Sequence, residues 1–449
     1  MSRIIIIGGV AAGMSAAAQA KRLNPDCEVV VFERGGDISY GACGLPYFIG
    51  AEGQKPGELV MLTKETALRK KGINVYTHAE VLKIHPPEKK ITVMHSDESV
   101  TKDYFYDRLI IATGASPVVP DIEGIKGKNI FFLRSLEDGV KFKKYIYEKK
   151  PVSGIIIGEG HIGLEMAENL KAAGVKELTI ICGREHLCWW LDADMALFIE
   201  QEAERRGIRL LKNTRVREIG REGDVITAVS ENASIKADFV FVSRGMKPNS
   251  ELAKAAGIKT GQRGSIDVNE KMETSEKDVY AAGDCANVYF ITRKERIYMP
   301  RGTTANKQGR AAGANAAGGE RVFKGVTGAM VFKFFDLEAG RVGMWEEEAA
   351  RKKLDTVSVT VKSVTRAGYY PGGGRIYVKL TADKNSGALI GGQLAGPEGV
   401  PKRVDIISTA IYNNMSVQEF RNLDFAYAPP FGPVWDPLLV AANNLYKAL

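Results

Sequence analysis

The thiol of Cys43 stands alone. It lies in Ser39-Tyr40-Gly41-Ala42-Cys43-Gly44-Leu45-Pro46-Tyr47, with no second cysteine four or five residues away on either side. A cysteine pair would close an internal disulfide, whereas a solitary sulfur must form a mixed disulfide with a reactant or be oxidised to a sulfenic acid. The segment after it reads as a helix start with Pro46 in the first turn, and a helix N-terminus favours the nucleophilic thiolate. The five cysteines, at 27, 43, 182, 188 and 285, are odd in number and contain no Cys-x-x-Cys pair. Neither a disulfide framework nor a metal site is expected, and a reducing cytoplasm fits best. Cys182 and Cys188 read as buried packing thiols rather than as a redox pair.

Two glycine turns supply a second kind of chemistry. In such turns glycines let backbone N–H groups approach a pyrophosphate resting on a helix N-terminus. The turn Gly158-Glu159-Gly160-His161-Ile162-Gly163 has all three glycines, while the earlier one keeps Gly8 and Gly13 but has Val10 in the middle. Glu33 closes the strand after the first turn, where an acid can accept hydrogen bonds from ribose hydroxyls. At the matching place the second copy reads Ile181-Cys182-Gly183-Arg184. Without an acid there a 2'-phosphate is tolerated, and Arg184 either attracts it or points into water.

The elements that must hold these residues follow from periodicity. Ile4 to Ile7, the glycine turn, an Ala-rich helix to about Leu23 and the strand Glu28 to Glu33 form a βαβ unit. Ile155 to Ile157, a helix through Leu170 and Leu178 to Ile181 form another. Leu109-Ile110-Ile111-Ala112-Thr113-Gly114 is a buried strand ending at glycine, followed by a Pro-rich crossover at 117–120, and Val279 to Asp284 returns to the first unit. From about residue 326 alternating strands, such as Val357 to Val361 and Ile376 to Leu380, precede helices near 401–414 and 434–448. The 449 residues allow two to four domains, and 45% apolar with 26% charged residues is ordinary globular composition. No stretch is long enough to span a membrane. The net charge of +8 is spread along the chain without a nucleic-acid motif, so a phosphate-rich small molecule accounts for it and nucleic acid is not expected.

Taken in order, these residues resemble the pyridine nucleotide-disulfide oxidoreductase superfamily over nearly the whole chain. The Cys43 segment, with Ala426-Tyr427-Ala428-Pro429-Pro430-Phe431, is most similar to its single-cysteine coenzyme A disulfide reductase branch, close to NADH oxidases and peroxidases. The resemblance implies an α/β fold with two Rossmann-like nucleotide-binding domains, for FAD (1–115 and 245–325) and NAD(P) (116–244), and a C-terminal α+β dimerisation domain (326–449). It implies FAD on Gly8, Gly13, Glu33, Arg34, Thr113, Gly114 and Asp284, with Asp284 on the ribityl chain, and NAD(P)H on Gly158, Gly160, Gly163, Glu165 and Arg184. Coenzyme A is carried over to Ser15, Gln19, Arg22, Ser39, Lys71 and Asn306.

In a homodimer, Tyr369 and Tyr427 would reach the other subunit's site and hydrogen-bond the sulfur, although Tyr370 is an alternative to Tyr369. Three departures bear on function. Ala42 replaces a common Asn before the cysteine, and His161 stands where relatives often have Tyr. The first glycine turn also lacks the His that supports a sulfenate in oxidases and peroxidases. The implied activity is NAD(P)H-dependent reduction of coenzyme A disulfide, persulfide or polysulfide through a Cys43 mixed disulfide, with a sulfenic-acid oxidase or peroxidase as the alternative. An appended rhodanese domain is not expected, since the sequence ends just after the dimerisation segment.

Overall fold

The computed structural model describes residues 2–449. Its first parallel sheet runs Val279–Ala281, Arg108–Ile111, Arg3–Ile7, Glu28–Phe32 and Ile73–Tyr76. Ile4, Ile5 and Ile6 are fully buried at its centre, which is why this strand is an unbroken apolar run rather than an alternating one. The second parallel sheet runs Ile208–Leu211, Glu177–Ile181, Ser153–Ile157, Phe239–Val242 and Ile130–Phe131. Each strand bearing a glycine turn is thus central in its sheet and feeds a helix, Ala11–Leu23 in the first and His161–Ala172 in the second.

The chain passes between the two units through Ala115–Pro117 and back through Met246–Pro248, and these passages pair with each other as antiparallel strands. Two three-stranded antiparallel sheets, spanning 79–105 and 216–237, accompany the parallel ones. The third unit is a five-stranded antiparallel sheet, ordered Met330–Phe334, Leu337–Gly343, Leu389–Gly396, Arg375–Asp383 and Thr356–Val364, against which the helices Val400–Tyr412 and Pro437–Ala448 pack. Two nucleotide-type α/β units and an α+β unit therefore make up the fold. No helix of the described residues is long and apolar enough to cross a membrane.

One further helix, Gly302–Ala316, lies along Ala11–Leu23. A methyl group at Gly309 would stand 2.3 Å from the Ala12 carbonyl oxygen, and one at Gly313 would stand 2.1 Å from that of Ala16. Only glycine lets the two backbones approach this closely.

Candidate active site

Cys43 sits in the short turn Ala42–Gly44 that leads into the helix Leu45–Gly50, with Pro46 in its first turn. Backbone bonds hold the segment. Ser39, in the left-handed region at φ 49, donates its N–H to the Gly9 carbonyl at 2.9 Å, and Gly41 donates to that of Leu59 at 2.8 Å. The first bond ties the cysteine segment directly to the first glycine turn. A second helix start also faces the sulfur, because a methyl group on Gly302 would lie 3.7 Å from Cys43 Sγ. The thiol therefore meets the positive ends of two helices, one of them fifteen residues long.

Those helix ends do not decide its ionisation alone. Burial pushes the Cys43 thiol up, the Glu165 and Asp284 carboxylates push it further, and the Arg134 guanidinium opposes them. This balance favours the thiol, where the helix start alone leads one to expect thiolate. Cys43 nevertheless has solvent access, and it is the one exposed cysteine among the five. Cys182 and Cys188 are both buried with free thiols.

Around the first turn, Glu33 accepts from Gly9 N–H at 2.7 Å and Gly35 N–H at 2.8 Å, and Arg34 is exposed beside it. Gly8 has φ +102, and a methyl group there would strike the Ala112 carbonyl oxygen at 2.2 Å. One at Gly13 would strike the Gly8 carbonyl oxygen. Thr113 donates to the Asn249 carbonyl at 2.6 Å, fixing Thr113-Gly114 against the returning chain. Asp284 pairs with Arg134 at 3.1 Å through one oxygen, while its other oxygen is buried without a partner. The Tyr298 hydroxyl is likewise buried and unpartnered. Burial pushes its pKa up, with the Asp284 carboxylate adding to the rise. Orphaned groups of this kind need an outside partner, and a polyhydroxylated chain ending in a pyrophosphate supplies one. The site thus fits a flavin dinucleotide. Arg134 and Tyr298 escape sequence reading because neither lies in a motif.

The second turn differs. Gly158 and Gly163 would clash with Ser243 and the Gly158 carbonyl on gaining a methyl group, yet nothing of the protein lies within 4 Å of one on Gly160. That open face is where a phosphate can approach backbone N–H groups. Arg184 lies exposed beside the turn. Its Nε lies 3.6 Å from Glu159, its guanidinium 5.3 Å from the Trp189 ring centroid, and Arg244 reaches Glu159 from the other side at 3.4 Å.

His161 opens the helix after this turn. Desolvation by crowding protein atoms, although the side chain reaches solvent, and the Arg301 guanidinium hold its pKa down to about 4, so its ring is neutral at neutral pH. One turn on, Glu165 is pushed up to about 7 by burial and by Glu168. His161–Ala172 packs against Leu45–Gly50, the helix that follows the thiol.

Of the six residues carried over for coenzyme A, four, Asn306, Ser15, Gln19 and Arg22, fall along one route. Asn306 is anchored to the Gly302 carbonyl at 2.9 Å and accepts from the Ser15 hydroxyl at 2.6 Å. Ser15, Gln19 and Arg22 share one helix face, and Arg22 donates to Gln19 at 2.8 Å. Lys71, in the last turn of Lys64–Lys71, precedes Gly72, whose backbone approaches Lys21. A row of polar groups thus leads from the helix start beside Cys43 to a basic surface.

Tyr369 and Tyr427 are not beside this row. They lie exposed on the third unit with their hydroxyls 2.7 Å apart, and that bond raises the pKa of Tyr427. Tyr370 instead sits near Arg366, whose guanidinium is 6.0 Å from its ring centroid.

A central thiol between two dinucleotide-type turns defines a class, the two-nucleotide redox proteins. The family model for pyridine nucleotide-disulphide oxidoreductases matches residues 2–312, and that of its dimerisation domain matches 330–437. The chain belongs to this family, in the branch of coenzyme A disulfide and persulfide reductases. It is 38% identical over 443 residues, 98% of each chain, to a coenzyme A-dependent NAD(P)H sulfur oxidoreductase of Pyrococcus abyssi. It is 36% identical over 447 residues, 100% of this chain and 99% of the other, to an NADH oxidase of Methanocaldococcus jannaschii. The structure of an NAD-dependent persulfide reductase from A. fulgidus superposes with a TM-score of 0.96 at 37% identity, over 99% of this chain and 83% of that one. The chain is accordingly an oxidoreductase of the pyridine nucleotide-disulphide type, with a third unit of the dimerisation-domain kind.

Proposed function

We propose that the protein reduces coenzyme A disulfide, or a persulfide or polysulfide of coenzyme A, through a mixed disulfide on Cys43. The observation that carries this reading is the joining of the one exposed cysteine to a polar row through Asn306, Ser15, Gln19 and Arg22, which ends at basic side chains. The sulfur of a long ligand would lie at Cys43 and its phosphates at Arg22 and Lys71. When bound, FAD supplies the conversion of nicotinamide hydride into two electrons at sulfur.

The chain's own residues do the rest. Cys43 must lose its proton before attack, and the Gly302 helix start and Arg134 favour that loss. The thiolate then attacks one sulfur of the disulfide, forming the Cys43 mixed disulfide and expelling a coenzyme A thiolate that takes up a proton. His161, neutral, gives shape to the nicotinamide side without adding charge. In the proposed homodimer, Tyr369 and Tyr427 of the other subunit protonate the departing thiolate. We assign residues 1–115 and 245–325 to FAD, 116–244 to NAD(P) and 326–449 to dimerisation, and place the protein in the cytoplasm.

A second reading, an NADH oxidase or peroxidase cycling Cys43 through sulfenic acid, draws on the Methanocaldococcus relative. The first glycine turn, Gly9-Val10-Ala11-Ala12, speaks against it, as it holds no imidazole to support a sulfenate. Mass spectrometry of the purified, unreduced protein decides between them. A coenzyme A adduct on the Cys43 peptide supports the first reading, and sulfenic or sulfinic acid at that position overturns it.

A further inference from the structure

The strand ends beside the second glycine turn carry charges that the turn itself does not. In the first unit Glu33 follows the strand Glu28–Phe32, and its carboxylate stands where ribose hydroxyls are read. Cys182 holds the same step after Glu177–Ile181, and it is fully buried. Its thiol donates to the Arg184 carbonyl at 3.2 Å, and the Arg184 N–H returns to the sulfur at 3.4 Å. The chain curls back on this sulfur and presents Gly183 and the exposed Arg184 where the first unit has an acid.

Three arginines meet around Gly183. Arg184 follows it in the chain, and a methyl group on Gly183 would lie 3.3 Å from Arg244 Nη1 and 3.8 Å from Arg215 Cγ. The three come from just beyond the carboxyl ends of Glu177–Ile181, Ile208–Leu211 and Phe239–Val242, the edge of a parallel sheet at which ligands bind. Backbone bonds fix the approach. Asn213 donates its N–H to the Arg184 carbonyl at 3.0 Å and Thr214 to that of Cys182 at 2.9 Å, which clips the segment leading to Arg215 onto the one carrying Arg184.

Arg184 and Arg244 converge on one carboxylate. Glu159, inside the glycine turn, has one oxygen 3.6 Å from Arg184 Nε and the other 3.4 Å from Arg244 Nη1. The Cys188 N–H holds the Glu159 carbonyl at 2.8 Å, and the next residue, Trp189, sets its ring centroid 5.3 Å from the Arg184 guanidinium. Arg215 is exposed and has no acceptor among the described residues. Three guanidinium groups against one carboxylate leave an excess of two positive charges. Glu185, the next acid along the loop, is exposed and lies towards His186 instead.

We infer that Arg184, Arg215 and Arg244 seat the 2'-phosphate of NADPH, with Glu159 and Trp189 positioning Arg184, and that this seat makes NADPH the preferred nucleotide. A ribose with free hydroxyls offers no charge to offset the excess, whereas a phosphate dianion matches it and suits the planar guanidinium fork. The inference rests on the reading of Gly158 to Gly163 as the NAD(P)H turn and does not depend on the sulfur substrate.

Two measurements on the flavin-loaded protein test this without any sulfur compound. Adenosine 2',5'-bisphosphate and adenosine 5'-monophosphate differ only in the 2'-phosphate. By calorimetry the first should bind about tenfold or more tightly, and the gap should shrink as salt is added. Arg215→Ala, which breaks no hydrogen bond or ion pair, should weaken the bisphosphate about tenfold and far more than the monophosphate, and Arg215→Lys should restore part of the loss. In dye reduction, kcat/KM should favour NADPH over NADH, and that ratio should fall about tenfold in Arg215→Ala and in Arg244→Gln. Equal affinity for the two probes, or equal losses with both nucleotides in Arg215→Ala, would overturn the inference. Binding of neither probe would overturn it together with the reading of the turn, whereas a failure to reduce sulfur compounds would strike the proposed substrate alone.

Discussion

The two glycine turns begin from the same βαβ device and end in different states. In the first, Glu33 folds back onto Gly9 and Gly35, the Gly302–Ala316 helix closes against Ala11–Leu23 at glycine contacts, and Asp284 waits with one unpartnered oxygen. In the second, Gly160 faces open space and the strand-end position carries Arg184 on a half-exposed rim. The difference teaches how one motif can be presented closed or open. A turn enclosed by other elements suits a cofactor that stays, and a turn with an open face suits a nucleotide that comes and goes.

The largest effect that sharpens this contrast lies at Cys43. Cys43→Ser should cut disulfide turnover by roughly 10³-fold or more, because removing a nucleophile costs most of the rate. Reduction of a small dye by NAD(P)H, which needs both turns but no thiol, should survive. Steady-state assays with both acceptors check this, and loss of dye reduction would mean that the sulfur is part of the nucleotide sites. Next come the glycines. Gly8→Ala meets a carbonyl at 2.2 Å in a left-handed backbone, so it should cost about 1–3 kcal/mol of stability and release flavin, as read by denaturant unfolding and absorbance. Gly160→Ala has no such clash and should leave the unfolding midpoint in place while raising the KM for NAD(P)H about tenfold. If the two alanines behave alike, the contrast between the turns is wrong.

Arg184→Ala should lower kcat/KM for NADPH about tenfold relative to NADH, the worth of one charge-assisted contact, as measured by initial rates with each nucleotide. The smallest effect concerns Glu165. Its folded pKa is raised from 4.5 to about 7, so the proton is bound more tightly in the folded state. The resulting stability is present below 4.5 and lost as pH rises through 7. Glu165→Gln should therefore flatten the fall in thermal midpoint across that window, and an unchanged slope would show that Glu165 titrates normally.

Much of the frame was legible because its signals are local. Runs such as Ile4 to Ile7, the glycine spacings and Glu33 mark strand, turn and ribose position within about thirty residues of each other. Contacts between distant segments left no such mark. Gly302–Ala316 is rich in Ala and Gly, so its apolar face is too weak to read, yet it presents its N-terminus to Cys43. In the antiparallel sheets over 79–105 and 216–237, register shifts at Val81/Lys83 and Val216/Glu218 break the alternation of the first strand of each. Arg134 and Tyr298 are recognisable only once Asp284 is placed beside them. The balance at the thiol is hidden from the sequence for the same reason, since the carboxylates of Glu165 and Asp284 come from other parts of the chain.

The side-by-side pairing of Ala115–Pro117 with Met246–Pro248 has an architectural consequence. Everything from residue 118 to 245 enters and leaves through a doorway two strands wide, with Pro117 directly across from Met246. Antiparallel neighbours stand about 5 Å apart, a gap that a tight loop can close. The second nucleotide unit is thus a graft on a hairpin stem, and excising it with a short splice would leave every strand of the first parallel sheet in its register.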